Sequence, residues 1–267
     1  MHYTFTDAID AATQLIKQAP VVKSGYWQGI DTSSHPEMAT KEILNYSMRV
    51  RSTGLDHPDL VDTIKPNLPW ADDHFRERVS RKPLNPPPSE SWWPHAPKGN
   101  DRFKNNSGIF SHTYPERYWP KLAGLPPMNK YPRIGIRFPY GDLDDLIRMM
   151  QKDPLTRQAY LPVWFPEDLG APITERKPCS LGYQFIMRNN DLHIVYSIRS
   201  CDFLRHFRND IYMTVLLQHW VLNELRAIDN KWNMIIPGSF TMHITSLHLF
   251  VNDYYQLFGD PNAQNLS

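Results

Sequence analysis

The chain has 267 residues, a formal net charge of +1 at pH 7 and 21% charged residues. It is long enough to bury a full core, and it has no global field that would draw nucleic acid or an anionic membrane. No run of about 18 apolar residues occurs, and the opening MHYTFTDAIDAATQLIKQAP has acids and a broken apolar pattern instead of a signal peptide. A cytoplasmic protein that binds neither membrane nor nucleic acid is expected.

Cys179 and Cys201 are the two cysteines of the chain, which argues against a disulfide scaffold and a four-thiolate zinc site. The eleven histidines show no HExxH spacing, so no metal is expected. Neither an internal repeat nor a domain boundary is evident, and residues 1–267 read as one domain.

Residues 7–18 place Ala8, Ile9, Ala12, Leu15 and Ile16 at helical spacing before Pro20, predicting an amphipathic helix. A second helix is expected after Ser34 or His35, with Pro36 in its first turn and Met38, Ile43, Leu44 and Met48 on its stripe. From about Asp56 to Pro132 the chain is rich in proline and tryptophan, including PLNPPPSESWWPHAP, without a sustained period. Trp70, Trp92, Trp93, Tyr114, Tyr118 and Trp119 are costly to leave in water, so long ordered loops that cover a site are expected here.

The second half is more regular. A helix is predicted near Asp142 to Gln151, an apolar run near Ala159 to Trp164, and a hairpin from YQFIMR and LHIVYSIR around Asn189-Asn190-Asp191. A long buried helix follows Asp202 through Leu225, and FTMHITSLHLF alternates as a strand.

The stretch KPCSLGYQF, a strand, and then RSCDFLRHFRND carries the most specific signal. Together they resemble the thymidylate synthase family, in which a nucleophilic cysteine follows a proline, a YQF-like strand comes next and an Arg-Ser-x-Asp motif opens the base-binding segment. Here these are Pro178, Cys179, Tyr183 to Phe185, and Arg199, Ser200 and Asp202. SLHLF is similar to the family's late His-x-Tyr segment and DPLTR to its Asp-Pro-x-x-Arg segment. The resemblance covers roughly residues 150 to 260 well and is patchier before that.

Within the superfamily, FRND at Phe207 to Asp210 and SLH at Ser246 to His248 look like the phage deoxycytidylate hydroxymethylases. The resemblance implies an α/β fold with a large twisted mixed sheet, helices on one face and the opposite face in a homodimer. It also implies 5,10-methylenetetrahydrofolate as cofactor. Asp210 stands where the dUMP-using enzymes carry asparagine. A carboxamide pairs with N3–H and O4 of uracil, whereas a carboxyl suits cytosine, whose N4 donates and whose N3 takes a proton.

Attack at pyrimidine C6 needs a thiolate, which a cation such as Arg199 favours at Cys179. Arg199 with Ser200 suits a 5′-phosphate. By resemblance, Arg157 joins from the other subunit, Lys23 lies on a phosphate loop, and Asn209 flanks the base-reading Asp210. Glu42 corresponds to a helical glutamate that moves protons and orders water, and Tyr114 to an active-site tyrosine. His248 faces the sugar, with Phe250 replacing the usual tyrosine, while Asp202, Trp92 and Trp93 contact the pterin. The reading that follows is transfer of a one-carbon unit to C5 of dCMP with addition of water. CMP hydroxymethylation, dUMP methylation and nucleotide binding without turnover are the alternatives.

Overall fold

The computed structural model describes residues 4–23, 25–27, 30–51, 55–95, 101–123, 141–170 and 176–259. In chain order the elements are α1 (Phe5–Gln18), β1 (Val21–Val22), β2 (Tyr26–Trp27), β3 (Ile30–Asp31) and β4 (Thr40–Arg51). Four helices follow: α2 (His57–Ile64), α3 (Trp70–Val79), α4 (Tyr114–Tyr118) and α5 (Pro120–Ala123). The second half comprises α6 (Leu143–Lys152), β5 (Tyr160–Pro162), α7 (Glu167–Gly170), β6 (Ser180–Arg188), β7 (Asp191–Asp202), α8 (Phe207–Ile228), β8 (Ile236–Phe250) and α9 (Val251–Phe258).

Six strands form one mixed sheet in the order β1-β4-β8-β7-β6-β5. Only the central β7–β8 pair within it is parallel. Helices α1 and α8 cover one face. On α1, Phe5, Ala8, Ile9, Ala12 and Ile16 are buried, and each large side chain so buried contributes about 1.5–3 kcal/mol. Thr4 and Asp7 close a reciprocal capping box at its start. Helix α8 buries Ile211, Val215, Leu222 and Leu225 against the sheet and its neighbours. The opposite face is polar and partly exposed, with Ser47 hydrogen bonded to His243 at 2.8 Å and His193 to Ser239 at 2.9 Å.

The expected helix after His35 is not formed. Pro36–Met38 make a single 3-10 turn, and Thr40–Arg51 run as strand β4. Its partner decides the matter: β4 pairs antiparallel with β8 from Thr40↔Phe250 to Arg51↔Ser239. Tyr46, Met48 and Val50 alternate into the core with period two. The helical spacing of Met38, Ile43, Leu44 and Met48 was a coincidence that this long-range pairing overrides.

The segment beginning at Asp56 is ordered, as expected, yet it is more helical than a loop reading allows. Helices α2 and α4 open with capping boxes, Asp56 with Asp59 and Thr113 with Glu116. Trp70, Tyr118 and Trp119 are buried, whereas Trp92 is 36% exposed. These helices are too short to display a period before proline ends them. Residues 96–100 and 124–132 of this stretch lie outside the described residues.

One feature of the sheet sets up the site. Across β4, β8 and β7, the in-register trios Met48–Met242–Tyr196 and Tyr46–Ile244–Ile198 are buried. Past the next rung the buried parity flips to Leu247 and Leu249 in β8 and Cys201 in β7. Asn45 stands at that rung with φ 56, the left-handed region that asparagine tolerates. The flip takes Glu42, Ser246, His248 and Ser200 out of the apolar core and lines them up at one end of the sheet.

Candidate active site

Cys179 precedes β6 at the point where that strand is irregular. Ser180 pairs with Ile198 and Gly182 with Ser197, so Leu181 is an extra residue and the strand bulges immediately after the thiol. Gly182 is required there, because a Cβ would lie 2.6 Å from the carbonyl oxygen of Leu161 on β5. Arg199 holds the other side: its backbone N–H donates to the Cys179 carbonyl at 2.9 Å, its Nε to Pro178 O at 2.9 Å and its guanidinium to Lys177 O at 3.1 Å. Expected as a phosphate clamp, it therefore also fixes the loop that presents the thiol.

Burial pushes the Cys179 thiol up. Arg199 and Arg176 oppose this, and the carboxyls of Asp210 and Asp202 reinforce it. Tyr114 is in the same cluster. Its hydroxyl accepts from Ser180 at 3.1 Å, and Ser180 and Tyr196 lie 2.6 Å apart. A serine hydroxyl has one proton, so with Ser180 donating to Tyr114, Tyr196 donates to Ser180. Burial, with the neighbouring Cys179, lifts Tyr114 to about 12.

Asp210 lies on the first turn of α8 with its carboxyl buried. Cys201 donates to it through sulfur at 3.7 Å, the one hydrogen bond to that carboxyl among the described residues. Burial raises it from the ordinary 3.8 to about 7, against the pull of Arg78. Cys201 is buried, as expected of a small free thiol, and supplies that hydrogen bond. Asn209 is not available beside it: its Oδ1 accepts from Asn67 N at 2.8 Å and its Nδ2 donates to Arg205 O at 2.9 Å.

A second group lies across the ends of three strands. Glu42, His248 and Asp202 are register partners, and the Glu42 carboxylate accepts from Ser246. Ser200 pairs with Ser246 beside them. Glu42 was expected on a helix against the ring; it is on β4, three strands from Cys179, roughly 14 Å at strand spacing. Its neighbours are Ser246 and His248, not the thiol. Phe250 meets His248 edge-on at 5.8 Å and lies under Arg205 at 5.2 Å. Asp202 accepts from Arg205 and from the N–H groups of Leu204 and Arg205, all within 3.0 Å.

Trp93 stacks on His206 at 5.0 Å and 17° and leans on Trp70 at 6.3 Å. Its indole N–H is buried without a partner. His206 in turn acts on Asp202, so the expected pterin contacts Trp93 and Asp202 do converge. Trp92 stays at the surface. Lys23 is exposed beside a small cleft with Thr32, Ser33 and His35. Arg157 is exposed away from Cys179 along β6, where its carbonyl accepts from Gln184. Within one chain roughly 20 Å of strand separates the two.

Two participants escaped the reading of the sequence. Ser180 is legible only as the residue after the nucleophile. Arg78 lies in WADDHFRERV, which has the composition of a solvated helix, yet it is 4% exposed with its guanidinium 4.0 Å over the Tyr114 ring.

A six-stranded mixed sheet covered by α1 and α8, with a cysteine opening one strand and an Arg-Ser-x-Asp end on the next, defines an α/β protein of the thymidylate synthase fold. The thermostable thymidylate synthase A of Bacillus subtilis matches it with a TM-score of 0.63, covering 92% of this chain and 80% of that one at 15% identity. Residues 133–259 match the thymidylate synthase family model. This stretch contains Arg157, Cys179, Arg199, Asp202, Asp210 and His248, while Lys23, Glu42, Trp92, Trp93 and Tyr114 precede it.

Proposed function

We propose that the chain is a pyrimidine nucleotide one-carbon transferase that hydroxymethylates C5 of dCMP. The observation that carries this reading is the buried Asp210 carboxyl facing the Cys179 cluster, with a thiol as its one hydrogen-bond donor among the described residues. A carboxylate accepts hydrogen bonds at both oxygens, matching N4–H and a protonated N3 of cytosine; uracil would set O4 against it.

In this reading Cys179 loses its proton and adds to C6, with Arg199 holding its loop and favouring the thiolate. Asp210 balances the charge that N3 protonation brings. Tyr114 and Ser180 are the hydroxyls placed to handle the proton at C5, and His248 binds the sugar. Glu42, tied to Ser246, supports that sugar end. The unpartnered indole N–H of Trp93, which stacks on His206 next to Asp202, fits a pterin, and 5,10-methylenetetrahydrofolate would supply the one-carbon unit there. Arg157 of a second copy would bind the 5′-phosphate in this reading.

Mass spectrometry after incubation with methylenetetrahydrofolate and, separately, dCMP, CMP and dUMP tests the reading. A hydroxymethyl increment on dCMP is expected. The same increment on CMP would move the sugar preference to the Phe250 substitution, and methylation of dUMP would overturn the cytosine assignment.

A further inference from the structure

Arg205 stands three residues after Asp202 and grips two buried carboxyls at once. Its Nη1 donates to Asp202 Oδ2 at 2.8 Å and to Asp253 Oδ2, and its Nη2 donates to Asp253 Oδ1 at 3.0 Å. Asp253 lies in the first turn of α9 and is buried, whereas the aromatic residues Tyr254 and Phe258 of that helix are only partly so. Phe250, the last residue of β8, lies under the same guanidinium. Asn209 of α8 holds the Arg205 carbonyl at 2.9 Å. One residue thus joins the end of β7, the first turn of α8 and the β8–α9 junction. The acceptor sites of Asp202 can then be counted. A carboxylate offers about four. Oδ1 takes the backbone N–H groups of Leu204 and Arg205, both at 3.0 Å, and Oδ2 takes Arg205 Nη1, so a single site is left open among the described residues. Two carboxylates on one guanidinium also leave one negative charge over, which suits a ligand edge of N–H donors and not an anion.

We propose that Arg205 is a positioning residue for the one-carbon donor: it fixes the Asp202 carboxylate with one acceptor site open to the N3–H and amino edge of a pterin, and its grip on Asp253 makes that orientation depend on α9. The inference rests on the reading of Asp202 as a pterin contact, but not on which pyrimidine is modified. Without the guanidinium, Oδ2 of Asp202 keeps no partner among the described residues and only Oδ1 is tethered, so the open site is no longer held in one place. Two buried carboxyls would also face each other without their shared cation.

The test is calorimetry of tetrahydrofolate binding to the full chain saturated in turn with dCMP, CMP and dUMP, alongside steady-state kinetics. It is run on wild type, Arg205→Met, Arg205→Lys, Asp202→Asn and the Arg205→Met/Asp202→Asn double variant. Arg205→Met weakens tetrahydrofolate by about tenfold and raises KM for methylenetetrahydrofolate in parallel, while KM for the nucleotide stays within about twofold. Arg205→Lys regains most of the loss. In the Asp202→Asn background Arg205→Met costs little further, the non-additivity expected of a residue that acts through Asp202. Should Arg205→Met not fold, Arg205→Met/Asp253→Asn leaves one buried charge fewer without a partner and carries the same expectation. Unchanged tetrahydrofolate affinity in a folded variant, or a full additional loss in the Asp202→Asn background, overturns the proposal whichever nucleotide is converted. Absence of tetrahydrofolate binding to wild type with every nucleotide overturns it together with the pterin contact. Weakened binding with no product from dCMP would retain the role of Arg205 and discard the cytosine reading.

Discussion

Asp210 and Cys179 titrate against each other. The carboxylate raises the thiol, so Asp210→Asn removes a negative charge and lets the thiolate form at lower pH. Alkylation of Cys179 by iodoacetamide at pH 7 is expected to be several-fold faster in that variant, and an unchanged rate would show the two are not coupled. The same group bears on stability. Its proton is released near 3.8 in the unfolded chain and near 7 in the folded one, so the contribution is full below about 3.8 and is lost as pH rises through about 7. Thermal melts should therefore show Asp210→Asn gaining on wild type from pH 4 to pH 8, by an amount on the order of a few kcal/mol. A difference constant with pH would contradict the assigned burial.

At the scale of elements, the bulge after Cys179 and the Arg199 contacts are two halves of one device. Leu181 bulges the strand to turn Ser180 toward Tyr114 and Tyr196, and the bulge depends on Gly182 passing close to β5. Gly182→Ala puts a methyl group against the Leu161 carbonyl, which strand pairing prevents from moving. A loss of about 1–3 kcal/mol is expected in denaturant titration, with a larger fall in activity than a remote core substitution of equal cost. The stack from His74 through Trp70 and Trp93 to His206 ties α3 to the start of α8. Burial lowers His74 and His206 from 6.5 to about 3. The unfolded chain takes up those protons first, so the stability they contribute is full above about 6.5 and is lost as pH falls toward 3. Replacing both with phenylalanine should flatten the acid limb of a Tm-against-pH curve; a limb of unchanged steepness would assign acid unfolding to other groups.

For the whole molecule, Arg157 and Cys179 lie well apart along β6. The family resemblance implies a homodimer in which Arg157 of one copy serves the Cys179 of the other. Mixing inactive Arg157→Ala and Cys179→Ala proteins should then recover about a quarter of wild-type activity, from hybrids with one intact site. No recovery after verified subunit exchange would place the phosphate contact within the chain.

The sequence by itself determined the elements whose pattern is local: α1, α6, the β6–β7 hairpin, α8 and β8, each long enough for its period to be read. It also marked Cys179, Arg199, Asp202 and Asp210, through the resemblance of KPCSLGYQF and RSCDFLRHFRND to the thymidylate synthase family. Tertiary structure alone decided that residues 40–51 form a strand, since β8 lies some 200 residues away and its pairing outweighs the helix-forming character of Glu42, Leu44 and Met48. That pairing also set Glu42 beside Ser246 and His248. Arg78 was decided the same way: a charged helix looks solvated in sequence, and only the packing of α3 under α4 and α8 turns its guanidinium inward. Burial is a property of what surrounds a residue, and for Asp210, Arg78 and Cys179 the surroundings come from distant parts of the chain.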